Sequence, residues 1–208
     1  MGAKGQAIGI MGGTFNPIHY GHLVAAESAR DAFDLARVIF VPAGQPPHKA
    51  DATDKIASAE HRYLMTFLAT ASNHRFDTSR VEIERPGPSF TSDTLAHFHR
   101  MDPDRRWFFI TGADAVLEIA EWHAARNIFR YAEIIAASRP GYPLRLGDLT
   151  PNLGEENLAK IHDLEVPALA ISSSAIRERL RQRLSIRYLV PETVENYIRK
   201  NSLYGWAE

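Results

Sequence analysis

His19 and His22 stand three positions apart in the string GGTFNPIHYGH. At the start of a helix, that spacing sends two imidazoles from one face toward a single bound group. Each ring donates a hydrogen bond when neutral, and a nearby phosphate raises its pKa and favours the cation. Gly12 and Gly13 permit close backbone approach, and the helix start behind them offers N–H groups and the positive end of a dipole. Gly21 keeps the histidine face uncluttered. The chemistry indicated is polyphosphate binding. A zinc pair fits less well, because helical pairs usually sit at i and i+4 with a third ligand, and no acid lies between these two to act as a base. Nor is the string a Walker loop or a GxGxxG fingerprint: no GK[ST] follows, and the third glycine and later ribose-binding acid are misplaced.

A second constellation lies far down the chain, in ALAISSSAIRERL. Ser172, Ser173 and Ser174 can cap a helix and offer hydroxyls, and Arg177 falls one turn in, where a guanidinium can hold two phosphate oxygens. Alone, a serine-rich cap with an arginine is ordinary helix punctuation. Two distant helix starts converging on one triphosphate give the pair a joint purpose.

The elements that must position these residues alternate along the chain. AIGIM, RVIFVP, VEIER, RWFFIT, EIIAAS and ALAIS have the length and content of strands; YGHLVAAESARDAF, AEHRYLMTFLATAS, TSDTLAHFHRM and SSAIRERLRQ have amphipathic helical spacing. This order predicts an α/β fold, a Rossmann-like doubly wound, mainly parallel sheet with helices on both faces. GGTFNP, PAGQPPHK, RPGPS and SRPGYP read as loops after strand C-termini, where such sheets bind ligands. The stretch from Gly141 to Asp163 is loosely patterned. The tail behind Pro191 reads as a helix with a first-turn proline. Residues 1–208 are expected to form a single domain, with 172–208 a helical C-terminal part.

Composition removes several alternatives. Lysine and arginine total 24 against 25 acidic residues, so no global positive field exists to hold nucleic acid, and phosphate recognition must be local. The absence of cysteine excludes disulfides, thiolate metal sites and cysteine nucleophiles. MGAKGQAIGIM lacks the apolar core of a signal peptide, and no segment approaches the ~20 apolar residues of a membrane span. A cytoplasmic protein without membrane association is expected. His61, His74, His97, His99, His123 and His162 show no spacing that demands a metal, and Trp107 and Trp206 read as packing residues.

GGTFNPIHYGH resembles the HxGH signature of the nucleotidylyltransferase superfamily, and ISSSAIR resembles its ISSTxIR motif with Ser174 where threonine is common. VPAGQPPHK, PSFTSDTL, GADAVLEIAEWH, SRPG and YLVPETVENYIRKNSLY extend the likeness over almost the whole chain, toward the bacterial nicotinate mononucleotide adenylyltransferase family. The resemblance implies an enzyme that joins ATP to nicotinate mononucleotide, giving nicotinate adenine dinucleotide and pyrophosphate by direct in-line attack. It implies ATP binding by Gly12, Gly13, Thr14, Phe15, His19, His22, Gly112, Asp114, Ser172, Ser173, Ser174 and Arg177, of which His19, His22 and Arg177 are catalytic. Lys49, with His48 beside it, and Arg139 match phosphate-facing cations on the acceptor side. Thr91 and Trp122 match the pocket for the pyridine ring and its carboxylate. Mg²⁺ is expected on the ATP oxygens with few protein ligands and no dedicated metal site. Homo-oligomerisation is left open. The nicotinamide mononucleotide reaction is the nearest rival, since acid and amide differ by one group. A non-catalytic nucleotide sensor on the same fold, and a tRNA synthetase fragment, stand further off.

Overall fold

Near-continuous apolar runs build the middle of a sheet that is buried on both faces, as parallel strands require. A computed structural model describes residues 7–47, 56–141, 146 and 150–206. Its strands are β1 (Ile8–Gly13), β2 (Arg37–Pro42), β3 (Phe76–Thr78), β4 (Trp107–Gly112), β5 (Glu133–Ser138) and β6 (Ile161–Glu165). They stand in the order β3-β2-β1-β4-β5-β6, and every neighbouring pair is parallel. The strand order therefore reverses between β1 and β4, and a crevice opens at the carboxyl ends of those two strands.

Side-chain alternation along the strands divides the core into two layers. Met11, Phe108 and Ile135 pack on one face, and their neighbours Ile10, Phe109 and Ile134 on the other. The first face is covered by α1 (Tyr20–Ala32), α2 (Ala59–Thr70), α9 (Ser173–Arg181) and α10 (Glu192–Lys200), which contribute Ala26, Met65, Ile176 and Ile198. The second face is covered by α4 (Thr91–Met101), α5 (Ala113–Leu117), a 3₁₀ turn at Ile119–Glu121, α6 (Ala125–Tyr131) and α7 (Thr150–Leu153), which contribute Leu95, Val116, Ile119, Ile128 and Leu153. This is the doubly wound arrangement expected from the alternation of runs. Two short helices, α3 (Val81–Glu84) and α8 (Glu155–Leu158), and a 3₁₀ turn at Leu203–Gly205 complete the described elements.

Two expected strands are not strands. VEIER forms the single turn α3, with Ile83 and Glu84 N–H both donating to Arg80 C=O; the strand beside β2 is FDT. An alternation of five residues is too short to distinguish a strand from a helical turn. In VEIER the polar Glu82 is the buried member. RPGPS accordingly follows a helix and not a strand. ALAIS is irregular and mostly exposed, and β6 is built instead from IHDLE, which begins at the end of the stretch that looked loosely patterned and runs two residues past it. An edge strand pairs on one side only and needs less apolar content than a central one. Pro191 stands just ahead of α10 as its N-cap residue, not inside its first turn.

Candidate active site

β1 delivers Gly12 and Gly13 to the crevice, and the chain turns through Thr14–Ile18 before α1 begins with His19 at its N-cap in extended conformation. The imidazoles of His19 and His22 lie with ring centroids 3.7 Å apart and planes inclined by 30°. The backbone N–H of His19 donates to Nδ1 of His22 at 3.2 Å. With Nδ1 an acceptor, Nε2 carries the proton of the neutral His22 ring and is its remaining donor. Phe15, buried and held at φ +48°, meets the His22 ring edge-on at 5.1 Å and backs it. A Cβ on Gly21 would stand 3.0 Å from the His19 ring, so a larger residue there would press that ring out of place.

Burial dominates the electrostatics of the pair. His19 is 6% exposed, and desolvation pushes its pKa down to about 4. Desolvation, reinforced by the neighbouring His19, holds His22 well below the ordinary imidazole value. At neutral pH both rings are uncharged donors, and an incoming phosphate supplies the charge that would favour protonation. Nδ1 of His19 is buried at the helix start, turned toward the α1 backbone, without a hydrogen bond within normal reach among the described residues.

The turn before α1 is held from the far end of the chain. Ser173 Oγ donates to Pro17 C=O at 2.8 Å, and Arg177 Nη1 donates to Asn16 C=O at 2.9 Å. The Asn16 side-chain oxygen accepts from Tyr204 Oη at 2.7 Å and from Ala57 N–H at 3.1 Å. Burial pushes the Tyr204 phenol upward, so it stays protonated as the donor. Ser172 caps α9 by accepting from Ala175 N–H at 3.1 Å. The Cβ position of Gly21 lies 3.7 Å from Ile171 C=O, so the starts of α1 and α9 meet. Ser174 is exposed at that start.

Two cavities open from the crevice. The first, of about 420 Å³, is lined by Gly12, His19, His22, Gly112, Asp114 and Arg139, with Val166, Leu169 and Ile171 forming an apolar wall. The second, of about 350 Å³, is lined by Gly13, Thr14, Glu82, Ser89, Thr91, Trp122 and His123. Both cavities include Gly12 and Thr111, at the ends of the adjacent strands β1 and β4. Thr91 is the first residue of α4, and Trp122 meets Phe109 edge-on at 6.1 Å. His123, to which the sequence assigned no chemistry, stacks on Phe90 at 4.2 Å in the second cavity.

The fold thus brings His19, His22, Gly112 and Asp114 to one cavity, and Thr91 and Trp122 to the other. Arg139, expected beside the acceptor, lines the histidine cavity instead; it follows β5, which lies on the far side of β4 from β2. Gly13 and Thr14 face the second cavity, whereas Phe15 faces neither. Arg177 lines a separate cavity with His61 and Tyr204, beneath the turn that it holds. His48 and Lys49 lie outside the described residues. Thr111, Glu82, Ser89 and Arg62 were not singled out from sequence. Arg62 did carry a signal: it falls in register with Met65, Thr66 and Ala69 on the buried face of α2.

A protein-family model described as Cytidylyltransferase-like matches residues 10–179. A Moorella thermoacetica protein bearing the name "Probable nicotinate-nucleotide adenylyltransferase" is 55% identical over 199 residues, spanning 95% of this chain and 91% of the relative. A Mycobacterium tuberculosis protein of the same name is 49% identical over 200 residues, spanning 96% and 92%. Among solved structures, the Plasmodium falciparum nicotinic acid mononucleotide adenylyltransferase complexed with NaAD superposes with a TM-score of 0.77 over 97% of this chain and 98% of its own. At 20% identity, that likeness speaks for the fold alone.

Proposed function

The chain belongs to the nicotinate-nucleotide adenylyltransferase family of Cytidylyltransferase-like proteins, and on that basis we propose that it transfers the adenylyl group of ATP to nicotinate mononucleotide. The products are nicotinate adenine dinucleotide and pyrophosphate. The observation that carries this reading is the pair of cavities meeting at Gly12 and Thr111. ATP in the first cavity and the mononucleotide in the second bring an α-phosphorus and a phosphate oxygen to one point. That oxygen attacks the α-phosphorus, the bond to the bridging oxygen of the β-phosphate breaks, and the electron pair leaves with pyrophosphate. A phosphate monoester is already a nucleophile at neutral pH, so no covalent enzyme intermediate is required.

Alignment and charge stabilisation are then the protein's whole task. His22 donates through Nε2 and His19 lies against it, both neutral before the nucleotide arrives. The starts of α1 and α9 face the phosphates with backbone N–H donors and the hydroxyls of Ser172 and Ser174, while the Ser173 hydroxyl is engaged on Pro17 C=O. Arg177 acts from beneath, keeping the turn in place through Asn16 C=O. Arg139 belongs with the nucleotide, Val166, Leu169 and Ile171 give the adenine an apolar wall, and Gly112 and Asp114 border the same cavity. Thr91, at a helix start, suits an acceptor carboxylate, and Trp122 offers the pyridine a flat face. His48 and Lys49 remain assigned to the acceptor phosphate by family resemblance.

Among the described residues, the first cavity offers one carboxylate, Asp114, and no cluster of metal-binding side chains occurs. That donor set fits a cation held chiefly by ATP oxygens, with Asp114 as a protein partner. Bound with ATP, Mg²⁺ supplies charge neutralisation at the phosphates. No described helix is long and apolar enough to cross a membrane; a cytoplasmic location follows from the small-molecule substrates proposed.

The purified protein, supplied with ATP and Mg²⁺, is to be given either nicotinate or nicotinamide mononucleotide, with dinucleotide and pyrophosphate measured together. The expected result is equimolar formation of both products with the acid. No product from either acceptor refutes the proposal, and a marked preference for the amide replaces its acceptor.

A further inference from the structure

Arg62 is an arginine in the wrong place for a solvated cation. It is 1% exposed, on the face of α2 that packs against the sheet. A guanidinium removed from water keeps its place only if its donors are satisfied. Here they are satisfied by three backbone carbonyls from separate segments: Nη1 donates to Thr14 C=O at 2.8 Å, Nη2 to Gly44 C=O at 3.1 Å, and Nε to Ala57 C=O at 3.0 Å. Arg62 lines neither cavity of the crevice, but Thr14 lines the second, as do Ala43 and Pro46 on either side of the Gly44–Gln45 pair.

Gly44 is held from its other side as well. Its N–H donates to Ser89 Oγ at 2.9 Å, which also receives Gln45 N–H at 3.2 Å. A Cβ on Gly44 would fall 2.1 Å from Glu82 C=O, so the strand-end loop lies directly on the backbone of α3. Glu82, buried in the wall of the second cavity, accepts in turn from Thr94 Oγ1 on α4. One peptide thus joins the arginine to the wall of the acceptor cavity.

We propose that Arg62 is a positioning residue for the acceptor: by holding the carbonyls of Thr14, Gly44 and Ala57 together, it fixes the loop after β1 against the loop after β2, and so sets the acceptor cavity beside the nucleotide. This rests on the acceptor reading above. None of the three carbonyls belongs to a residue lining the cavity that contains His19 and His22, so the loss of the guanidinium falls first on the acceptor. Thr14 and Ala57 also border the turn before α1, Ala57 through its N–H on Asn16. Gly44, which meets Ser89 and Glu82 on the acceptor side, isolates the effect. A purely structural role would lower stability without distinguishing the two substrates.

Arg62→Met, Arg62→Lys and Gly44→Ala are to be compared with the wild type in melting temperature, in KM for each substrate, and in kcat, assayed well below the lowest melting temperature. Arg62→Met should raise the KM for nicotinate mononucleotide about tenfold or more, as expected when buried carbonyls lose their donors, with the KM for ATP within about threefold of wild type. Arg62→Lys should recover part of the loss, since an ammonium keeps charge and some donors but not the planar fork. Gly44→Ala, which leaves the arginine intact and pushes the loop off Glu82, should reproduce the selective rise; it decides the matter if Arg62→Met does not fold. Unchanged acceptor KM in the folded variants, or equal rises for both substrates, overturns this inference alone. An inactive wild type overturns the acceptor reading and this inference with it.

Discussion

Acidification from pH 7.5 to 4.5 should destabilise the protein by an amount traceable to His19. An unfolded imidazole titrates near 6.5, and burial pushes His19 down to about 4. At pH 7.5 the ring is neutral in both states and contributes no pH dependence. Between the two values the unfolded chain binds a proton that the folded protein excludes, so stability falls as pH drops from 6.5 toward 4 and levels off below. At pH 4.5 the accumulated loss is about 2.5 kcal/mol, at 1.36 kcal/mol per unit. For a chain of this length, that corresponds to roughly 5–10 °C in melting temperature. His22 and the carboxylates add their own shifts, so the measurement is a difference: His19→Asn, which hydrogen-bonds but does not titrate, should lose roughly 5–10 °C less than wild type over the same range. Calorimetry at pH 6 in buffers of different ionisation heat gives a second reading, because ATP phosphates favour the imidazolium and binding should take up protons. Parallel melting curves for the two proteins would refute the buried-neutral account of this histidine, and ATP binding without proton uptake would show that the ring stays neutral beside the phosphates.

His22→Ala should lower kcat by about 10²–10³, the usual cost of one preorganised donor at a reacting phosphate, far more than the few degrees of melting temperature that the lost acceptor for His19 N–H accounts for. Near-normal turnover in a folded variant would remove His22 from the chemistry. Trp122→Ala should raise KM for both nicotinate and nicotinamide mononucleotide by about tenfold while leaving ATP binding unaltered, since the ring face serves either pyridine. Thr91→Ala should act mainly on the ratio between the two acceptors, measured in competition, and an unchanged ratio would take the carboxylate away from that helix start.

The parts of the fold that could be read in advance are those dictated by local composition. RVIFVP, RWFFIT and EIIAAS are almost wholly apolar, and they became the interior strands β2, β4 and β5. β3 and β6 are short or one-sided, pair at the edges and carry polar residues, so nothing in FDT or IHDLE stands out against competing strings nearby. The site divides in the same way. The histidine pair was legible because glycine, cap and helix start are consecutive. Arg139, expected with the acceptor, lines the histidine cavity, because a loop's sequence does not say on which side of the strand reversal it lies. Arg62 and Glu82 acquire their meaning from backbone atoms as far as 48 positions away, or from a helix packed across them.

The bonds from Ser173 and Arg177 to Pro17 and Asn16 span 156 and 161 positions, and that from Tyr204 to Asn16 spans 188. Loop closure on that scale comes late, after local helices and neighbouring strands have formed. During synthesis the histidine turn emerges first, and these fastenings follow only 156 to 188 residues later. The nascent chain is therefore catalytically silent until Ser173, Arg177 and Tyr204 have been made and have closed on the turn. A chain cut anywhere before Ser173 keeps every residue of the histidine motif and lacks the clasp that gives it shape, so partial synthesis or C-terminal proteolysis should leave no fragment able to consume ATP.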